Sequence, residues 1–177
     1  MDNLLHYIEI SKVSYSKLIV EDINEERNSL NQKEMSEFIQ FNSEINDFTG
    51  GVSDEIIKEV EKALKVKFPD SYIWFLENYG SGGLFGVDIL GCGKSATPSV
   101  ITNTERFRNI GLPTQYVVVE NCEEFVYCLD TENLIDAECV VVSWDRIDGY
   151  SGKRADNFYE FLTNRLLDAK ENWDEDF

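Results

Sequence analysis

The chain has 177 residues, 42% hydrophobic and 12% aromatic, and its 34 acids against 16 bases give a formal net charge of −18. That length fits one domain able to bury a proper core, and the composition is globular, which sets aside a disordered chain. A field of this sign repels nucleic acid and anionic membranes and attracts basic partners, with plain solubility as the simpler reading.

No apolar run approaches the ~20 residues a membrane helix needs. The opening MDNLLHYIEIS lacks a basic stretch followed by an apolar one, so no secretory signal is read and a cytoplasmic location is expected. Cys92, Cys122, Cys128 and Cys139 form no C-x-x-C pair, and the lone His6 is remote from them. They read as buried or half-buried free thiols rather than a zinc set. The acid excess is uneven: residues 1–50 carry ten acids and four bases, 51–100 seven and five, and 101–177 seventeen and seven.

Leu4, Leu5, Ile8 and Ile10 fit a short helix or a short strand, and Lys17-Leu-Ile-Val20 fits a short strand. The polar stretch 21–34 reads as a solvated helix or a linker. Met35, Phe38, Ile39, Ile45 and Phe48 suggest a partly amphipathic helix that ends before Gly50-Gly51. Ser53 is a good N-cap, Asp54 and Glu55 suit a first turn, and lysines follow at 58, 62 and 65. Ile56, Ile57, Val60, Ala63 and Leu64 form an apolar stripe at helical spacing. Pro69 suits the first position of a second helix. Tyr72, Phe75, Leu76 and Tyr79 line that helix, Ile73 and Trp74 widen its face, and Gly80 supplies a left-handed end. Gly82 and Gly83 lead into a short strand over Gly86–Leu90.

A further helix is expected over 99–110, with Val100, Ile101 and Phe107 inward. Tyr116–Glu120, Glu124–Leu129 and Cys139–Trp144 are short β-branched and aromatic runs separated by turn residues, which predicts an antiparallel meander. Phe158, Phe161, Leu162 and Leu166 share one face of a last helix, with Asn157 and Glu160 as a capping pair. ENWDEDF reads as a frayed acidic tail. Nothing repeats at a period of 20–50 residues.

Catalytic signals are weak. Gly91-Cys-Gly-Lys-Ser95 has the end of a phosphate-binding loop, but the glycine that pattern needs five places before Gly93 is Asp88, so a turn is the better reading. Gly80-Ser-Gly-Gly lacks dinucleotide-binding spacing. A Ser-His or Cys-His pair would depend wholly on His6, and the abundance of acids makes any single carboxylate pair uninformative. Asp145 and Asp148, beside Trp144 and Tyr150, suit a cation or, more simply, a solvated turn. No catalytic residue, cofactor or metal is assigned.

One ordered pattern remains. KFPDSYIWFLENYGSGG follows an amphipathic helix and precedes GVDILG, and this resembles the SUKH superfamily. Its L-P-x-x-Y-x-x-F-L element and glycine turn are matched by Phe68-Pro69, Tyr72, Phe75-Leu76 and Asn78-Tyr79-Gly80. Tyr127–Asp130, Cys139–Asp145 and Asn157–Leu162 look like the family's C-terminal half. The likeness covers roughly residues 36–168; phenylalanine replaces the usual leucine before proline, and the first ~35 residues have no clear counterpart. It implies a single α+β domain, mostly antiparallel sheet with helices packed against it, over 36–170, with an N-terminal extension at 1–35 and an acidic tail at 171–177. Most bacterial members are non-catalytic immunity proteins that neutralise a toxin, often a nuclease, encoded beside them, while fungal relatives are regulatory adaptors. The expected partner is therefore a basic cognate toxin, not nucleic acid or membrane. Candidate contacts are Glu120, Glu123, Glu124, Asp145, Asp148 and Tyr150, with Tyr79 as an aromatic anchor. The alternatives are a scaffold recognising a host protein or peptide, and an acidic hydrolase.

Overall fold

Helix ends fall where side chains or distant carbonyls satisfy the backbone, as a computed structural model describing residues 32–42, 44, 47–93 and 96–175 makes plain. The apolar runs before residue 21, most of the polar stretch after them, His6, Ile45 and the Lys94-Ser95 pair lie outside the described residues. Helix α1, Gln32–Phe41, buries Met35, Phe38 and Ile39. Helix α2, Asp54–Leu64, has Ser53 at its N-cap, but the hydroxyl makes no cap bond; the Ser53 carbonyl accepts the Ile56 and Ile57 N–H groups. The stripe is narrower than its apolar letters, since Ile57, Val60 and Leu64 are buried while Ile56 and Ala63 are exposed. Glu61 is buried beside them for a local reason. Its carboxylate accepts the Phe68 N–H at 2.8 Å and the Lys67 ammonium at 2.9 Å, closing the corner to the next helix.

Helix α3 is Asp70–Asn78, with Pro69 as its N-cap residue rather than its first helical one. The exposed amides of its first turn are capped from far along the chain. The Ala137 carbonyl accepts the Asp70 N–H at 2.9 Å, and the Glu138 carboxylate accepts the Ser71 N–H at 2.9 Å and hydroxyl at 2.5 Å. Burial pushes the Glu138 pKa up, and the two Ser71 bonds oppose that shift. Gly80, at φ +73°, ends α3 as expected, donating its N–H to Phe75 and Leu76.

Helix α4 is Ser99–Arg108, and among the described residues a four-stranded antiparallel sheet follows: β1 Tyr116–Asn121, β2 Val126–Asp130, β3 Val141–Asp145 and β4 Gly149–Ala155, in spatial order β1-β2-β3-β4. The sequence announces three of these strands. The fourth, GYSGKRA, is mostly exposed and has no apolar alternation to mark it. Successive strand residues point to opposite faces, and a helix covers each. On one face Phe107 of α4 meets Trp144 edge-on at 6.3 Å, and the Thr104 hydroxyl accepts the Val118 N–H at 3.0 Å. On the other, helix α5, Phe158–Glu175, sets Phe161 against Tyr127 at 5.0 Å. Phe158, Phe161, Leu162 and Leu166 are all buried, and the expected capping pair is present: Asn157 accepts the Glu160 N–H at 2.9 Å. The expected domain limits at 35/36 and 170/171 both fall inside helices, α1 and α5.

Irregular backbone prolongs the sheet beyond β1. Leu90 donates to the Val119 carbonyl at 2.8 Å, Gly82 and Ile89 exchange bonds of 2.8 and 3.1 Å, and Thr49 donates to Ser81 at 3.0 Å. The stretch expected as a strand at Gly86–Leu90 thus contributes only bridges at Ile89, to Gly82 and to Glu120. These layers approach too closely for side chains. A Cβ on Gly91 would lie 2.0 Å from the Gly80 carbonyl oxygen, and one on Gly51 1.9 Å from that of Glu77. Gly80–Gly83 is therefore a buried layer. One apolar cluster runs through these layers from Met35 to Leu166.

Candidate functional site

An up-and-down meander places its odd-numbered turns at one end. Val126 of β2 pairs with Trp144 of β3, so the β1–β2 turn and the β3–β4 turn share an end of the sheet. In the first turn the Asn121 side chain accepts the Glu123 N–H at 3.0 Å, Glu123 adopts φ +66°, and Glu123 and Glu124 are exposed. In the second, one Asp145 oxygen accepts the N–H groups of Ile147 and Asp148, each at 2.7 Å, and the other accepts the Ser151 hydroxyl at 2.8 Å. The Asp148 N–H, then the Ser151 hydroxyl and the Ile147 N–H, hold the Asp145 carboxyl below its ordinary range. Gly149, at φ +74°, completes the turn. Asp148 and Tyr150 are exposed.

Five of the seven expected contact residues, Glu123, Glu124, Asp145, Asp148 and Tyr150, thus gather at one sheet end. Asp145 is engaged in its own turn through both carboxylate oxygens, and among the described residues no group of three His, Cys, Asp or Glu is placed to hold a metal. The other two residues go elsewhere. Glu120 is 5% exposed and grips Arg165 of α5 with two bonds, 2.8 Å from Nε and 2.6 Å from Nη2. Arg165 also lies 5.6 Å over the Tyr127 ring. Tyr79 is half-buried among aromatic rings, 4.9 Å from Phe48 and 5.5 Å from Trp74, and its hydroxyl reaches the Ser36 hydroxyl at 3.3 Å. It serves as packing.

Sequence reasoning passed over Ile147, which is 87% exposed in the second turn. The available signal was a lone isoleucine between Arg146 and Asp148, where turn chemistry favours polar residues.

The remaining chemical candidates are occupied or inert. The Gly91 N–H donates to the Ser99 hydroxyl at 3.0 Å, so it is not free to cradle a phosphate. Cys92, Cys128 and Cys139 are buried, Cys122 is half-buried, and all four are free. Burial raises the thiols of Cys92 and Cys122 to about 11 and that of Cys139 to about 12, and it raises Cys128 as well. None has the lowered pKa of a nucleophilic cysteine. No helix among the described residues is long and apolar enough to cross a membrane.

The SUKH_5 family profile, described as SMI1-KNR4 cell-wall, matches residues 17–167. The chain belongs to the SUKH superfamily. The match begins at residue 17, ahead of residue 36 where the resemblance was first drawn. SUKH domains are generally non-catalytic. Among 18 matching chains of solved structures is a crystal structure of a protein from Pseudomonas syringae pv. tomato. It is 13% identical to this SUKH chain, with a TM-score of 0.60 over 75% of this chain and 98% of that one. At that identity the likeness establishes the fold alone.

Proposed function

We propose that this SUKH protein is a bacterial immunity protein that acts in the cytoplasm. It binds a cognate toxin, a basic nuclease-type domain encoded by a neighbouring gene, and occludes the toxin's active site with an acidic surface. The observation that carries this reading is the pairing of two turns bearing Glu123, Glu124 and Asp148 at one end of the sheet, in a SUKH domain of net charge −18. A nuclease must hold phosphate with basic groups, and an acidic inhibitor matches that charge and speeds encounter. No cofactor enters the reading.

Co-expression with the toxic C-terminal domain encoded by the adjacent gene tests it. Restored growth and co-purification are expected; a toxin that kills regardless, with no complex recovered, overturns it. The second reading, a non-catalytic scaffold that recognises a host protein or peptide, draws on the family description, which names the cell wall. A gene neighbourhood lacking any toxin would favour that scaffold.

A further inference from the structure

We propose that the tip of the β3–β4 hairpin, Arg146–Tyr150, is a preformed plug whose Ile147 enters an apolar pocket rimmed by basic side chains on the protein partner. The charge assigned to that partner rests on the immunity reading; the plug itself rests on the turn's own construction.

Single apolar residues on a surface are ordinary and ask for no explanation. Ile147 differs in its setting. At 87% exposure it is the most exposed large hydrophobic side chain among the described residues, and Tyr150, 56% exposed, follows at the start of β4. The backbone beneath them is fixed, because Asp145 accepts three hydrogen bonds from positions 147, 148 and 151. The root of the hairpin is fixed too: Trp144 is buried and meets Phe107, and Trp144 and Asp145 pair across the strands with Tyr150 and Gly149. A loop already held in one shape loses little conformational freedom on docking, so its apolar tip delivers more of its burial as affinity. Ile147 is flanked by the exposed Arg146 and Asp148, and Glu123 and Glu124 are exposed in the other turn at the same sheet end, so three acids face one base there. An apolar centre inside a charged rim is the anatomy of a protein-binding hot spot. The same rim repels an acidic or lipid surface and suits a basic one.

Centre and rim make different kinetic demands. Rim charges steer encounter and act on the association rate, with strong dependence on salt. A buried anchor acts on dissociation and is little affected by salt. The test is surface plasmon resonance with the purified toxin domain encoded by the adjacent gene, comparing wild type, Ile147→Ala and Glu124→Gln at low and high salt. Ile147→Ala is expected to dissociate about tenfold faster or more at both salts, with association unchanged. Glu124→Gln is expected to slow association at low salt only. Thermal melting of Ile147→Ala should match wild type, since the side chain packs on nothing it would need for folding. Equal dissociation of Ile147→Ala and wild type overturns the plug and leaves the immunity reading standing. A wild-type protein that does not bind the domain overturns both.

Discussion

Glu120 and Asp145 read in the sequence as surface acids, yet each has its oxygens engaged within the molecule. Glu120, nearly sealed from water, is compensated by the two-pronged Arg165 guanidinium. Removing only the cation leaves a buried, unpaired carboxylate, so Arg165→Met is expected to lower the unfolding free energy by about 3 kcal/mol in urea titrations. Glu120→Leu combined with Arg165→Met should recover most of that loss, because a buried ion pair contributes little beyond what an apolar pair of similar size would. Asp145 behaves differently because it is solvated. Its carboxyl is held below the ordinary carboxylate range by the Asp148 N–H first and by Ser151 and Ile147 next. For a depressed carboxyl, the stabilising contribution is present above the unfolded pKa and disappears as pH falls through the folded one. Hydrogen-exchange protection of the Ile147 and Asp148 amides is therefore expected at neutral pH and lost on acidification below about pH 4. Asp145→Ala should show the unprotected behaviour already at neutral pH.

At the scale of elements, glycine does more than punctuate. The layers at 47–51, 80–83 and 89–91 lie as close as backbone permits, and Gly91 has no room for a methyl group 2.0 Å from a carbonyl oxygen. Gly91→Ala is expected to cost about 3 kcal/mol, since backbone must move on both sides. Gly86, at φ +80° with open space around it, provides the comparison: Gly86→Ala should cost only about 1 kcal/mol, the left-handed strain alone. Denaturant midpoints of the two variants decide the matter. The helical part of this architecture was legible in the sequence, because stripes such as Phe158, Phe161, Leu162 and Leu166 report burial at a period the chain itself carries. The glycine layers were not: a glycine has no side chain with which to announce a neighbour, and the partners of Gly51 and Gly91 lie outside any local window. Strand β4 was missed for a related reason. It is an edge, and its only buried residue is Ala155, so no alternation marks it. Buried Glu61 and half-buried Glu138 were illegible as engaged groups because each is held in part by a backbone amide, which a sequence does not single out.

For the whole molecule, a net charge of −18 on one small domain implies self-repulsion in the compact state. Salt at about 0.5 M shortens the range of that repulsion to a few ångströms, and the melting temperature is expected to rise by a few degrees between low and high salt. A flat or falling profile would mean that the ion pairs outweigh the repulsion. The candidate surface was half legible at this scale. Charge and turn letters pointed to Glu123, Glu124, Asp145, Asp148 and Tyr150, whereas their meeting at one sheet end follows from strand register, which no single stretch encodes. The cap on α3 has a further consequence, for biosynthesis. Ser71 waits for Glu138, 67 residues later, and Tyr72 and Phe75 wait for the Phe158 ring, 5.0 and 5.5 Å away in the finished fold. On the ribosome, α3 emerges with an open first turn and a bare aromatic flank, and its native surroundings arrive only near the end of translation. A message cut between α4 and α5 should accordingly yield a product that proteases clear, not a stable fragment, and pulse-chase measurement of its lifetime would show it.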